Sequence, residues 1–414
     1  MSQKDGDGSD HGRGSGRGLR MVEFFSGIGG FRLGVERALR AKNTANNTVN
    51  ANAGANCNHY AHLESCHAYE ISLHANDTYR HNFHEDNGKS QGKQSGGEFT
   101  VTTKLIEQLS TSRIASHRAD LWTMSPPCQP FTSTTNAKRL DGRDPRTAGF
   151  RAIMRLLDDL NVHAPKWIVV ENVKGFAGSN VLSEWYACLE RNGYGWREYL
   201  LSPMQLGIPN HRKRYYMIAE KDSARFGRLR GGDSIRNTLP CMLEMNEVAA
   251  IRRRPLSDYI DKSMTTEDEM DAYLVPDDVL AKPWAKSLPI VSASDTMSHC
   301  FTAAYGRIVH RATGALLLTD LDHPSVEAHP DSIDRDDMLT MFGGGGLRKF
   351  TPRELLRIFG FMNRDDDENG FPENISLENR YKLIGNSVNV EVVSRVVEKL
   401  LSESSSDTIS TLHG

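Results

Sequence analysis

A strand followed by a glycine turn and a helix is the feature that most constrains what this chain can fold into. The apolar stretch MVEFF at 21–25 predicts a short strand, and SGIGG at 26–30 supplies the turn. Phe31, Val35 and Leu39 then recur at helical spacing. Such a turn lets a ligand approach the main chain closely, and the helix N-terminus offers free N–H groups. The unit therefore favours a nucleotide-like cofactor at the end of the first strand.

The same alternation continues along the first half of the chain. Further strands are predicted at 65–70, 121–125, 166–173, 196–202 and 214–220, with helices over 75–83 and 148–160. Strands that alternate with helices are typical of a mostly parallel sheet covered on both faces, which makes the fold class α/β.

Three stretches interrupt this alternation. The polar, low-complexity segments 43–62 and 85–98 are interpreted as surface insertions. Strand–helix alternation is then lost from about Asp222 to the GGGG run at 343–346, which we interpret as a flexible joint. Helical patterning resumes with TPRELLRIFGF and NVEVVSRVVEKLL near the C-terminus.

Composition restricts the kinds of partner and the cellular compartment expected for the protein. A net charge of −3 gives no global attraction to polyanions, so a nucleic acid would need a local patch. Residues 225–254, with seven arginines against three acids, are interpreted as this patch, and the alternative is an ordinary solvated surface. No apolar run approaches the ~18 residues of a membrane span, and the first twenty residues lack the apolar core of a signal peptide. Six cysteines without a disulfide spacing favour a reducing compartment, so we expect a cytoplasmic or nuclear protein.

Cys128 and Glu171 are the candidate catalytic pair. Cys128 follows two prolines in MSPPCQPFT, at the carboxyl end of a predicted strand, where open α/β sheets bind ligands. A buried structural cysteine is the alternative, but a stiff loop beside a cofactor crevice favours a nucleophile. Glu171 ends the next strand and should reach the same crevice with a raised pKa, unless it is only a solvated strand end. Glu70, at the end of the second strand, suits the hydroxyls of a ribose.

Six blocks give the chain a recognisable resemblance. FSGIGG, SPPCQPF, ENVKGF, LGIPNHRKRYYMIA, TPRELLRIFGF and GNSVNV stand in the order of the cytosine-5 methyltransferase motifs. With LLSPMQLGIPN and CFTAAYG, the chain most resembles the tRNA-methylating branch of that DNA-methyltransferase-like family. The resemblance implies a Rossmann-like sheet, S-adenosylmethionine as methyl donor, and cytosine 38 of tRNA(Asp) as the base that is methylated.

The resemblance also implies roles for individual residues. Cys128 would add to carbon 6 of the cytosine, Glu171 would hydrogen-bond the ring, and Arg212 and Arg214 would hold the base oxygen and orient the loop. The residues implied to bind the cofactor are Phe25, Ile28, Gly29, Gly30, Glu70, Ile106, Glu107, Ser125, Asn386, Ser387 and Val388. Those assigned to substrate are Arg252, Arg253 and Arg254, from the arginine cluster, and Cys300, Phe301 and Thr302.

The expected domain boundaries follow the motifs. We predict a disordered tail at 1–20, a catalytic domain at 21–221 completed by 342–402, a smaller target-recognition region at 222–341, and a tail at 403–414. We expect a monomer.

Three alternatives stay open from the sequence. A DNA cytosine-5 methyltransferase would use the same chemistry on a flipped duplex base, although 222–341 is small for an elaborate reader of DNA sequence. A catalytically idle nucleic-acid-binding protein would not need the Cys128, Glu171 and arginine set. A zinc site in CNHYAHLESCH at 57–67 fits no usual structural-zinc spacing, so no metal is expected.

Overall fold

The computed structural model describes most of the chain, and the structural statements below refer to the residues it describes. These are 17–49, 60–83, 98–127, 144–222, 235–239, 253–261, 270–307, 314–319, 338–362 and 370–403.

The main feature of the fold is a seven-stranded sheet. Its strands are β1 (Arg17–Phe24), β2 (Tyr60–Glu70), β3 (Phe99–Thr103), β4 (Leu121–Met124), β5 (Trp167–Val173), β6 (Tyr194–Leu201) and β7 (Arg214–Lys221). They lie in the order β3-β2-β1-β4-β5-β7-β6. The first five are mutually parallel, and β7 is antiparallel to both β5 and β6. The predicted mostly parallel sheet is confirmed.

Helices cover both faces of this sheet. The helices are α1 (Gly30–Val49), α2 (Leu73–Phe83), α3 (Thr111–Ser116), α4 (Ala148–Leu160), α5 (Asn180–Arg191), α6 (Asp277–Leu280), α7 (Met338–Phe342), α8 (Pro352–Ile358), α9 (Leu377–Gly385) and α10 (Val390–Glu403). On β5, Ile168 and Val170 join the core beneath α3, α4 and α5, whereas Trp167 and Val169 join the core beneath α1 and α10. None of the described helices is both long and apolar enough to span a bilayer.

A smaller three-stranded sheet stands beside the main one. Its strands are β8 (Ile290–Val291), β9 (Leu316–Leu318) and β10 (Leu347–Arg348), and α6 and α7 pack against it. Because β10 is an integral strand, this unit extends beyond the boundary predicted at residue 341.

The glycine run at 343–346 forms a defined turn, so the interpretation as a flexible joint was wrong. Gly344 and Gly345 have φ of 70° and 103°, which favours glycine, and the Gly346 N–H donates to the Phe342 carbonyl at 3.0 Å.

Two boundaries near the N-terminus also differ from prediction. β1 begins at Arg17, inside the predicted tail, because Arg17 and Arg20 both bind the Asp120 carboxylate, with nitrogen–oxygen distances of 2.7 and 3.1 Å. The predicted insertion at 43–62 is shorter in the structure, since α1 continues to Val49 and β2 starts at Tyr60. The rings of Tyr60 and Trp167 pack edge to face, with centroids 5.4 Å apart, which extends β2 at its start.

Breaking the buried Arg348–Glu354 ion pair should destabilise the fold strongly. The two side chains are 5% and 0% exposed, and Glu354 accepts both Arg348 guanidinium nitrogens at 2.8 Å as well as the Thr351 N–H. Arg348→Leu would leave the carboxylate buried without its cation, so we expect a loss of about 3–5 kcal/mol in the free energy of unfolding by urea. Arg395→Gln, which breaks a partly exposed pair with Glu398 on α10, should cost less than about 1 kcal/mol. Equal losses in the two variants would contradict the prediction.

Candidate active site

The glycine turn after β1 forms one end of the candidate site. Gly27 and Gly29 have φ of 54° and 89°, and Phe25 adopts a φ of 54° without being glycine. At Gly29 a Cβ atom would lie 2.2 Å from the ring of Phe83, so only glycine fits there. At Gly27 a Cβ atom would have no neighbour within 4 Å among the described residues. The turn therefore presents open main chain at the carboxyl edge of the sheet, as a ligand-binding turn requires.

Glu70 holds this turn against the end of β2. Its Oε2 accepts the Gly27 N–H at 3.1 Å, and its Oε1 accepts the N–H groups of Ile71 and Ser72, both at 2.8 Å. The neighbouring Ile71 side chain is 56% exposed, so an apolar surface adjoins the end of the strand. Sequence reasoning missed Ile71, and its position directly after Glu70 was the available signal.

Phe25 and Glu107 meet at the start of α4. A Cβ atom on Gly149 would lie 3.1 Å from the Phe25 ring and 3.8 Å from Glu107 Oε1. Ile28 and Ile106, predicted with them, are 1% and 4% exposed and pack into the cores, so their side chains present no surface. The glycine turn, Glu70, Phe25 and Glu107 together form a wall with two carboxylates and an aromatic ring.

Asn172 fixes the chain that leads to the predicted nucleophile. Its Nδ2 donates to the Pro126 carbonyl at 3.0 Å, and its Oδ1 accepts the Val173 N–H at 2.8 Å. The side chain is buried, and the bond joins β5 to the segment after β4, where Ser125 is half-buried. Cys128 itself lies outside the described residues. Asn172 was missed in the sequence, although it stands next to Glu171 in the same motif.

Glu171 and Arg214 face each other across β5 and β7. Val173 pairs with Arg214 in the antiparallel register, so Glu171, two residues earlier, lies diagonal to Arg214 on the same face of the sheet. The Glu171 Oε1 and Arg214 Nε atoms are 3.6 Å apart, and the carboxylate side chain is 9% exposed. Burial raises the pKa of Glu171, and the charges of Arg214 and Arg212 offset only part of that rise. The group thus combines a carboxyl whose pKa is raised by burial with an adjacent cation.

Arg212 joins three distant segments of the chain. Its guanidinium donates to the backbone carbonyls of Phe301 at 2.9 Å, Ser387 at 2.7 Å and Gly385 at 3.1 Å. Only 4% of its surface is exposed, so its hydrogen bonds hold these backbone segments in place instead of contacting solvent. The predicted role in orienting a loop has this physical basis, and the Nε atom of Arg212 has no hydrogen-bond partner among the described residues.

Cys300 lies between the two arginines. Its Sγ atom is 3.5 Å from a guanidinium nitrogen of Arg212 and 3.5 Å from one of Arg214. Burial alone would raise the pKa of this thiol, but the two positive charges outweigh burial and lower it. The neighbouring Phe301 ring is fully buried against Tyr305 and Phe350, so it is a core element and not the substrate contact we predicted.

The remaining predicted residues fall into two groups. Val388 packs on the glycine turn, since a Cβ atom on Gly30 would lie 2.6 Å from it; Asn386 beside it is exposed and Ser387 buried. The structure therefore brings the C-terminal motif to the turn. Thr302 and Arg253 are half-buried and Arg254 is exposed, while Arg252 lies outside the described residues. Two residues of the alternative zinc site, Cys57 and His59, also lie outside the described residues. The described part of the chain holds no cluster of three or more His, Cys, Asp or Glu that could bind a metal.

Comparison with known proteins identifies relatives along nearly the whole chain. The family model described as C-5 cytosine-specific DNA methylase matches residues 19–402. A Spodoptera frugiperda protein named tRNA (cytosine(38)-C(5))-methyltransferase is 35% identical over 340 residues, which cover 80% of this chain and 90% of that protein. The crystal structure of a mutant DNMT2 from the same organism matches with a TM-score of 0.66 at 29% identity, covering 92% of this chain and 99% of that one. A Dictyostelium discoideum protein named DNA (cytosine-5)-methyltransferase is 26% identical over 411 residues, covering 93% and 94% of the two chains.

Proposed function

The chain belongs to the C-5 cytosine-specific DNA methylase family, and from that membership we propose that it methylates carbon 5 of cytosine 38 in tRNA, with S-adenosylmethionine as the methyl donor. The observation that carries the proposal is the convergence of Glu171, Arg214 and the Asn172-held Pro126 carbonyl at one edge of the sheet, beside the open glycine turn. The tRNA substrate rests on the more similar of the two named relatives.

The residues around the glycine turn fit the donor. The open space beside Gly27 lets a ligand lie close to the main chain. Glu70 provides a carboxylate at the strand end that would bind the ribose hydroxyls. The exposed Ile71 provides an apolar surface on which the flat adenine base would lie. Phe25 and Glu107 would close the far wall. When bound, S-adenosylmethionine supplies an electrophilic methyl group.

The remaining residues activate the cytosine. Carbon 5 is a poor nucleophile until the Cys128 thiolate forms a bond to carbon 6 and pushes electron density to carbon 5. Glu171 would donate a hydrogen bond to the ring nitrogen that becomes negative during this addition, and burial raises the pKa of its carboxyl, which favours that role. After carbon 5 has taken the methyl group, loss of its proton to a base breaks the carbon–sulfur bond and frees Cys128.

Arg214 and Arg212 divide two tasks in this scheme. Arg214 sets the charge beside Glu171, and Arg212 holds the segments containing Phe301 and Ser387 so that they border the same edge. Asn172 fixes the Pro126 carbonyl and hence the direction in which the chain reaches Cys128. Small displacements of a nucleophile reduce the rate steeply, which explains why a buried side chain is assigned to this bond.

Position 38 and tRNA(Asp) are the finer parts of the proposal. An anticodon-loop base leaves its stack at lower cost than a base in a duplex, so a loop cytosine suits a site that must receive an extruded base. The test is radiolabelled methyl transfer onto total cellular tRNA and onto duplex DNA, followed by bisulfite sequencing of the labelled tRNA. We expect label in tRNA(Asp) at position 38. Label in DNA alone would overturn the proposal in favour of the DNA methyltransferase alternative, which the Dictyostelium relative supports.

Gly27→Ala should weaken cofactor binding. The added methyl group would project into the open space beside the turn, and a φ of 54° strains any residue other than glycine. We expect the affinity for S-adenosylmethionine, measured by calorimetry, to fall about tenfold or more while the protein stays folded. Gly178→Ala is the matched control, since its Cβ would also meet no atom within 4 Å but its φ is ordinary. A Gly27→Ala protein that binds the donor as tightly as the control would contradict the assignment.

A further inference from the structure

A second cavity lies on the flank of the molecule, outside the candidate active site. Its volume is about 200 Å³, and it opens between α1, α8, the start of α10 and the segment 253–261. The charged and polar residues that line it are Arg37, Arg254, Asp258, Tyr259, Arg357 and Glu391. Of these residues, only Arg254 was singled out in the sequence. Within the described part of the chain, Glu70 bonds to the glycine turn and Glu171 pairs with Arg214, and neither bond involves a residue of this cavity.

Hydrogen-bond donors in this cavity lack acceptors. The Tyr259 hydroxyl is buried and has no hydrogen-bond partner among the described residues, and the same holds for the buried Arg357 Nε. The Arg254 guanidinium lies 5.4 Å from the centre of the Tyr259 ring and forms no ion pair with the described residues. A buried donor without an acceptor costs about 1–3 kcal/mol, so this concentration of unused donors favours an acceptor-rich ligand.

The charges around the cavity are distributed unevenly between paired and unpaired arginines. Three arginines face two carboxylates, because Asp258 and Glu391 also line the wall. Glu391 pairs with Arg37, and Arg357 has Asp261 at 4.0 Å and the Tyr259 carbonyl at 3.5 Å. Arg254, at the exposed side of the cavity, is the arginine of this wall that has no ion pair among the described residues. A single anionic group that enters past Arg254 would meet the Tyr259 hydroxyl and Arg357 Nε.

The size of the cavity restricts the ligand further. At about 200 Å³ it is smaller than the ~300–1,000 Å³ of pockets that enclose whole drug-sized molecules, so it holds one compact group rather than a nucleotide. A phosphoryl group combines small volume, negative charge and several acceptor oxygens, and arginine is the side chain best suited to bind it. We propose that this cavity binds one phosphoryl group, either from an RNA backbone or from a small free phosphate.

Inorganic phosphate is the probe for the first test. Titration into the full-length protein at constant ionic strength should show saturable binding by calorimetry. Arg254→Gln should weaken this binding about tenfold, and Tyr259→Phe, which removes only the hydroxyl and keeps the buried ring, should weaken it about threefold or more. Arg40→Gln removes an equal charge from α1 at a side chain that is 76% exposed and outside the cavity, and it should bind like the wild type.

Three results would overturn the phosphoryl site: absence of saturable binding, unchanged affinity in both cavity variants, or an equal loss in Arg40→Gln. Because the readout is phosphate binding, a failure of the proposed methyl transfer leaves this test unaffected, and the converse also holds.

A second arm distinguishes the source of the phosphoryl group. Phosphate is added to a tRNA-binding assay, with sodium chloride as the control for ionic strength. If phosphate displaces tRNA from the wild type but not from Tyr259→Phe, the cavity binds a phosphate of the RNA backbone. Phosphate binding that Tyr259→Phe weakens, without competition against tRNA, assigns it to a small free phosphate.

Discussion

Cys128→Ala should abolish methyl transfer while the protein still binds S-adenosylmethionine. Without the thiolate, carbon 5 of the cytosine has no route to an electron-rich state, so we expect the rate to fall by at least about a thousandfold. The residues assigned to the cofactor are elsewhere, at the glycine turn, Glu70 and Phe25, so donor affinity measured by calorimetry should be preserved.

The control for Cys128→Ala is a cysteine with a different task. Cys188 is fully buried on α5, where its thiol contacts the Met154 carbonyl, and Cys188→Ala should retain transfer. RNA that contains 5-fluorocytosine at the target position should become crosslinked to the wild type and to Cys188→Ala, and not to Cys128→Ala. Turnover by Cys128→Ala at the wild-type rate would exclude covalent catalysis, and loss of transfer by Cys188→Ala alone would exclude Cys128 as the nucleophile.

Glu171→Gln should reduce the transfer rate by about a hundredfold to ten-thousandfold, the usual contribution of a positioned acid. Burial raises the pKa of Glu171 above that of an ordinary glutamic acid, so its protonated form persists to higher pH. A rate that depends on the protonated form is therefore full below the raised pKa and falls as the pH rises through it. In Glu171→Gln that fall should be absent from the pH profile.

Arg214 supplies an independent check on this assignment. Its positive charge favours ionised Glu171, so Arg214→Gln should raise the pKa of Glu171 further and move the alkaline fall to higher pH. Glu190→Gln, at an exposed position on α5, should leave rate and profile unchanged. An alkaline fall at the same pH in wild type and Arg214→Gln would show that another group controls it.

Sequence patterns were sufficient for the elements that depend on local periodicity. The helix predicted at 148–160 coincides with α4, and the strand that ends on Glu171 coincides with β5. Both contain enough apolar residues at regular spacing to determine their buried faces without help from distant parts of the chain. The edge at which Glu70 and Glu171 emerge follows from the same regularity, because parallel strands end together.

The parts that the sequence left undetermined depend on contacts between distant residues. Arg212 was predicted to hold a base, yet its acceptors belong to segments 89 and 175 residues further along the chain. The residues near Arg212 in the sequence give no indication that its guanidinium binds those carbonyls. The turn at Gly343–Gly346 was misjudged for a related reason, since a run of glycines gives no local sign of the carbonyl at Phe342 that closes it.

The long sequence separation between Arg212 and its acceptors has a consequence for the synthesis of the enzyme. A ribosome still translating the C-terminal helix keeps Gly385 and Ser387 away from the guanidinium, and a partly made chain then holds a buried cation with two of its three acceptors missing. The three segments that Arg212 joins can therefore be held together only after the chain has been synthesised through Ser387.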